Sequence, residues 1–310
     1  MIKDIKGLHH VTSMASDAQR NNAFFTDTLG LRRVKKTVNF DEPSVYHLYY
    51  GDESGTPGTV MTYFPFPHMI TGRRGVGEVG ETQFSIPVGS LAFWKERLLD
   101  KGVSKLRSDA VFGANRLRFV APDGDEFALV ETIDDTRAPW LAAGISADTA
   151  IRGFAGARFD LHETAATEEL LRFMGYERAE AEGNITRFII PGGNGADTID
   201  LAALPKTPFA RQGAGSVHHI AFAVENRERQ LEVRKALLDT GYQVTPVIDR
   251  DYFWAIYFRT PGGVLFEIAT NEPGFNRDED TANLGQALKL PARYEPFRSK
   301  IEADLVPLAA

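Results

Sequence analysis

The sequence predicts an α+β protein in which four βαβββ modules build curved mixed sheets around a metal cavity. Three observations predict it. One order of elements recurs four times, and a glycine closes each helical segment (Gly30, Gly102, Gly175, Gly241). The histidine pairs His9-His10 and His218-His219 fall at the same point of the repeat, the first strand of modules one and four. A lone module leaves one face of its sheet bare, so modules must pair, and paired sheets enclose a cavity.

Module one opens with Gly7-Leu-His-His-Val-Thr, continues through a helix around residues 18–28, and ends in strands near 31–38, 45–50 and 59–64. Module two runs from a strand at 81–87 through a helix at 91–99 to strands at 116–120 and 126–131. Module three starts near 156–161, has its helix at 168–174, and ends in strands at 187–190 and 198–202. Module four has a strand at 215–224, a helix at 229–239 and strands at 243–248, 255–260 and 264–270. Period-two alternation and turn residues such as Pro261-Gly262-Gly263 mark the strands. The halves are residues 5–133 (modules one and two) and 150–270 (modules three and four), followed by a tail at 271–310. That tail wraps the domains or meets a second subunit of a homo-oligomer; its sequence does not choose.

The chain of 310 residues is 43% hydrophobic and 25% charged, an ordinary globular balance. It contains no cysteine, which excludes disulfides, thiolate metal sites and thiol nucleophiles. No run of 18 apolar residues offers a membrane span, and the N-terminus has no apolar stretch of a secretory signal. The expected address is the cytoplasm. Net charge is −7, and the basic stretches at 32–36 and Arg73-Arg74 are short, each read as a solvated face. A nucleic-acid surface would need a broader positive stripe, so the expected partner is a small molecule.

Four of the seven histidines sit in the two doublets, while modules two and three carry Gln83 and about Arg158 at that place. Two of four repeats thus keep a site. Strand alternation sorts each pair. His218 shares a face with Ile220, Phe222 and Val224, bulky residues suited to packing under the helix; His219 shares the other with Ala221 and Ala223, which leave room for a ligand. His219 is the inward member, and His10, with Thr12 beside it, is its counterpart. On the last strand Glu267 lies on the face of Leu265 and Ala269. A carboxylate inside so apolar a run costs several kcal/mol to bury unpaired. A divalent cation shared with His10 and His219 offsets that cost; an ion pair with Arg259 is the plainer alternative. Two imidazoles and one carboxylate leave adjacent coordination positions open. Thr62 stands where a four-ligand site would place another carboxylate. Donors about 2 Å from one ion require modules one and four to share the cavity.

Several strings carry a resemblance: Leu8-His-His-Val-Thr, Tyr46-His-Leu-Tyr-Tyr-Gly-Asp, Gly55-Thr-Pro-Gly-Thr-Val-Met-Thr, Ala150-Ile-Arg-Gly-Phe and Tyr257-Phe-Arg-Thr-Pro-Gly-Gly-Val-Leu-Phe-Glu-Ile-Ala-Thr. Over residues 5–270 the chain resembles the vicinal-oxygen-chelate superfamily, and within it the four-module hydroquinone and chlorohydroquinone ring-cleaving dioxygenases. The resemblance implies two vicinal-oxygen-chelate domains and an Fe(II) enzyme that cleaves a hydroquinone- or catechol-type aromatic with O₂; Mn(II), Zn(II) or Ni(II) are alternative ions. It implies that His9, His218, Arg250 and Tyr257 line or support the site. Tyr257 would bond a substrate hydroxyl, and Arg250 would offset phenolate charge or orient Tyr257. For His9 and His218, buried support and acid–base work both stand, as does core packing for Tyr257. His47 is read as structural, His68 as a loop residue and His162 as exposed. Because one fold hosts many activities, a glyoxalase-type lyase or isomerase and a non-catalytic aromatic-binding resistance protein are the alternatives.

Overall fold

A computed structural model describes residues 1–308. Module one comprises β1 (Leu8–Ala15), α1 (Ala18–Ala23), β2 (Arg32–Asn39), β3 (Glu42–Gly51) and β4 (Val60–Pro65). The helix expected to run to residue 28 changes to a π-turn over Phe24–Thr28, and Gly30 then reverses the chain at φ 69°. A Cβ at Gly30 would also stand 2.2 Å from Ile145, so glycine is required twice over. Module two is β5 (Glu78–Ile86), α2 (Leu91–Asp100), β6 (Arg107–Val111), β7 (Ala114–Val120) and β8 (Glu126–Glu131). Module three is β9 (Gly153–Leu161), α3 (Ala165–Phe173), β10 (Glu177–Glu182), β11 (Ile185–Ile189) and β12 (Thr198–Ala203). Module four is β13 (Val217–Val224), α4 (Arg227–Asp239), β14 (Ile248–Asp249), β15 (Phe253–Arg259) and β16 (Leu265–Pro273). No helix of the described residues is long and apolar enough to cross a membrane.

Two expectations need correction. Strands β6 and β10 escape a reading of apolar alternation because they are exposed edge strands, β10 along its whole length. The strand expected at 243–248 shrinks to the two residues of β14. Pro246 has no N–H to give a ladder. Beside it, Thr245 fixes β15 from both sides: its N–H donates to the Tyr257 carbonyl and its hydroxyl accepts from the Tyr257 N–H, each at 3.0 Å.

The strands form two eight-stranded sheets, ordered β14-β15-β16-β13-β1-β4-β3-β2 and β10-β11-β12-β9-β5-β8-β7-β6. Modules four and one therefore meet at the antiparallel pair β13–β1, and modules three and two at β9–β5. Bulky residues of both sheets, among them Val11, Ile220, Phe222, Phe84 and Phe159, belong to one buried cluster, and Phe159 meets Phe266 across the sheets at 5.5 Å between ring centroids. The small residues Ala221 and Ala269 belong to the opposite face, where the cavity lies.

The tail lies along β2 and corrects the reading of residues 32–36 as a solvated face. Lys35 is fully buried, 2.6 Å from Asp278 and 2.5 Å from Glu279. Arg32 donates to the carbonyls of Thr281 and Ala282, and the Lys289 N–H to that of Lys36. Ile301 of α5 (Arg298–Asp304) and nearby Leu305 join Val38, Tyr49 and Phe253 in a second apolar cluster. The basic stretch is the floor on which the tail closes.

Candidate metal centre

Consecutive residues of a regular strand point to opposite faces, so neither histidine doublet should touch itself. Both do. Across the β1–β13 ladder Leu8 faces Phe222 and His10 faces Ala221, leaving His9 as an extra residue; Thr12 faces His219 and Ser13 faces Val217, leaving His218 as another. Each doublet thus carries a β-bulge at its first member, which swings that ring beside the second. Nδ1 of His9 lies 2.9 Å from Nδ1 of His10, and Nδ1 of His218 lies 2.7 Å from Nδ1 of His219. His218 accordingly does not pack under the helix with Ile220 and Phe222, as alternation suggested: it lines the cavity.

His10, His219 and Glu267 converge. Their donor atoms all lie within 4.8 Å of one another, and all three residues are buried. The two Nε2 atoms are 3.3 Å apart, with Glu267 Oε2 2.9 Å from that of His219 and 3.4 Å from that of His10. Neither Glu267 oxygen has a hydrogen-bond partner among the described residues. A fully buried carboxylate with unmet lone pairs, beside two imidazole nitrogens aimed at the same point, is a donor set that fits one divalent ion. Arg259, the plainer partner for Glu267, is exposed and donates instead to the Gly263 carbonyl. Thr62 faces Thr12 on β1 as Glu267 faces Ala221 on β13. Its hydroxyl is held at 2.8 Å by both Thr12 and His47, so that side of the site has no second carboxylate to serve as a fourth ligand.

Burial sets the charge states. Desolvation, aided by His10, pushes His9 down to about 3, and desolvation with His219 beside it pushes His218 down to about 4, so both are neutral at pH 7. Burial alone would raise Glu267, but the imidazoles of His10 and His219 outweigh it and hold the carboxyl well below its usual range. Burial, with Glu267 nearby, keeps Tyr257 a neutral phenol. The Nε–H of Arg250 donates to the Tyr257 hydroxyl at 3.2 Å, and its Nη1 reaches Asp41 at 3.1 Å.

A cavity of about 400 Å³ opens on the triad. Phe40, Phe64, Phe66 and Met69 give it apolar walls, and His218, Arg250 and Tyr257 give it polar ones. His9 sits behind His10, against Phe253. His162 is exposed and His68 lies in a loop. His47 is more than structural filler: it lines the cavity, with its Nδ1 2.8 Å from the Tyr49 hydroxyl. The signal was present, since His47 and Tyr49 are two apart on β3 and Tyr49 is in register with Thr62.

Residues 126–268 match the family model of the Glyoxalase/Bleomycin resistance protein/Dioxygenase superfamily. The chain is 42% identical over 310 residues to MhqO of Bacillus subtilis, named as a ring-cleaving dioxygenase, covering 99% of this chain and 98% of that one. It is 34% identical to the chlorohydroquinone/hydroquinone 1,2-dioxygenase of Sphingobium indicum, covering 96% and 95% of the two chains. The crystal structure of a Bacillus subtilis protein named as a dioxygenase superposes with a TM-score of 0.96 at 41% identity, covering 99% and 98%. Glyoxalase I of Zea mays, at 13% identity and a TM-score of 0.63 over 86% of this chain and 93% of its own, shares the fold. Similar over its whole length to these enzymes, the chain belongs to the Glyoxalase/Bleomycin resistance protein/Dioxygenase superfamily, among its ring-cleaving dioxygenases.

Proposed function

We propose that His10, His219 and Glu267 hold one Fe(II) ion, and that the enzyme uses O₂ to open the ring of a hydroquinone- or catechol-type aromatic. The observation that carries this is the buried two-imidazole, one-carboxylate set facing a cavity of about 400 Å³ with aromatic walls. Thr62, held by Thr12 and His47, supports an open site over the four-ligand arrangement of a glyoxalase. The metal, when bound, would supply Lewis acidity and an electron path between substrate and O₂.

The protein's own groups supply orientation. The Tyr257 oxygen already accepts from Arg250, so its O–H is left to donate to a phenolic oxygen in the cavity. Arg250 stays cationic and counters charge on that oxygen, braced by Asp41. Phe64, Phe66 and Met69 pack against the ring and exclude water. A chain without cysteine is compatible with a cytoplasmic address. The test is oxygen uptake after anaerobic Fe(II) loading, with hydroquinone and substituted catechols. Stoichiometric uptake with loss of the aromatic absorbance is expected; a loaded protein that consumes no oxygen over a broad panel would sink the reading.

A further inference from the structure

Modules one and four repeat one strand plan around the site, and that plan pairs two tyrosines. Glu267 faces Ala221 on β13 and Tyr257 on β15; Thr62, its counterpart, faces Thr12 on β1 and Tyr49 on β3. Tyr49 is thus the module-one counterpart of Tyr257, and both line the cavity. They are braced by different means. Arg250 donates its Nε–H to the Tyr257 hydroxyl at 3.2 Å, whereas the Tyr49 hydroxyl lies 2.8 Å from Nδ1 of His47. Two residues before Tyr257 stands Ala255, whose side chain can do nothing of the kind.

His47 is itself fixed. Its ring lies against those of Tyr49 and Phe64, at 4.1 Å and 4.2 Å between centroids, and its Nε2 is 2.8 Å from the Thr62 hydroxyl. Both ring nitrogens are engaged, so His47 has none left for a ligand. The Tyr49 hydroxyl does have capacity left: a phenol can both donate and accept, and His47 takes one of those roles. Burial, with Glu267 nearby, pushes the Tyr49 phenol well above its usual range, so it stays an uncharged hydroxyl.

We propose that Tyr49, positioned by His47, is a specificity-determining residue that bonds a second hydroxyl of the aromatic, while Tyr257 bonds the first. A hydroxyl is the group that fits, because it donates where Tyr49 accepts and accepts where Tyr49 donates; a methyl group matches neither role. A dihydroxybenzene is then gripped at two oxygens and a monohydroxybenzene at one. A ligand that lacks the second hydroxyl shuts Tyr49 away with an unmet bond, which is how a buried polar group discriminates. Recognition of this second oxygen rests on the reading of the cavity as a site for a phenolic ring, and the test separates the two.

Binding is measured without turnover, by anaerobic titration calorimetry of the full chain loaded with redox-inert Zn(II), using phenol, catechol and hydroquinone. In the wild type at least one of the two dihydroxybenzenes should bind about 10-fold tighter than phenol, the worth of one good hydrogen bond. Tyr49→Phe should bring that ratio to within about 2-fold with phenol held as before, and His47→Phe, which releases the hydroxyl from its brace, should lower it about 3-fold. Tyr257→Phe should weaken all three ligands. Each ratio is read within one protein, so damage that weakens every ligand alike does not imitate the effect. A wild type that binds phenol as tightly as both dihydroxybenzenes, a ratio unchanged in Tyr49→Phe or His47→Phe, or a phenol loss in Tyr49→Phe equal to that of the dihydroxybenzenes would overturn the inference and leave the phenolic reading standing. A wild type that binds none of the three would overturn that reading, and the role of Tyr49 with it.

Discussion

Where modules four and one meet, His10, His219 and Glu267 come together; where modules three and two meet, Gln83, Arg158, Asp200 and Glu81 do. The second group is a closed charge network. The Glu81 carboxylate accepts from Arg116 at 2.9 Å, Arg118 at 2.6 Å and Arg158 at 3.3 Å. Arg187 grips Asp200 with two bonds of 2.8 Å, and Arg158 also binds Asp160. Gln83 bridges Glu81 and Asp200. Around Glu81 and Asp200 the carboxylates face guanidinium groups, which repel any second cation. In the first sheet, by contrast, the carboxylate of Glu267 lacks a bonded partner and the nearby bases are imidazoles that can be neutral. One scaffold, with two fillings, gives one candidate site for an ion and one internal strut.

The sharpest break of that contrast is to disable each carboxylate in turn. Glu267→Gln should lower Zn(II) or Fe(II) affinity on the order of 1000-fold and abolish oxygen uptake, because the ion loses its one anionic ligand. Asp200→Asn should leave affinity within about 2-fold, since it lies in the other sheet. Titration calorimetry reads both; equal losses would mean that the two sheets are not independent.

The strut should then show itself in stability. Glu81→Gln leaves three buried or half-buried guanidinium groups short of a partner, and about 3–5 kcal/mol should be lost in urea unfolding with metal affinity unchanged. A loss under 1 kcal/mol would show the network to be loosely hydrated rather than a strut.

Acid should separate the two regions with a somewhat smaller effect. The folded state holds His9 at about 3, below its unfolded value near 6.5, so the unfolded chain binds more protons between these values. The stabilisation is full above pH 6.5 and drains as pH falls toward 3. Chelated protein should lose on the order of 3 kcal/mol between pH 6.5 and pH 4, and His9→Phe should flatten that slope. The arginines of the second sheet keep their charge throughout. A wild-type slope retained in His9→Phe would assign the loss to other groups.

Much of the fold was legible because its signals are local. Four glycines after four helices mark the repeat, and all four adopt positive φ, from 69° at Gly30 to 95° at Gly175. Alternation along β13 separates Ala221 and Ala223 from Ile220 and Phe222, and so picks His219 as the inward member of its pair. Where the pattern was polar or interrupted, the reading failed: β10 is charged and exposed, and Pro246 breaks the strand before β14.

By itself, then, the sequence determined the module, its fourfold repetition and the residue types able to bind a metal, since periodicity and side-chain chemistry are carried by neighbouring residues. Only the tertiary structure decided that His9 and His218 lie beside their neighbours rather than across the sheet, because a bulge exists only relative to a partner strand. It also decided that Lys35 is buried, because the carboxylates that neutralise it arrive from Asp278 and Glu279, far along the chain.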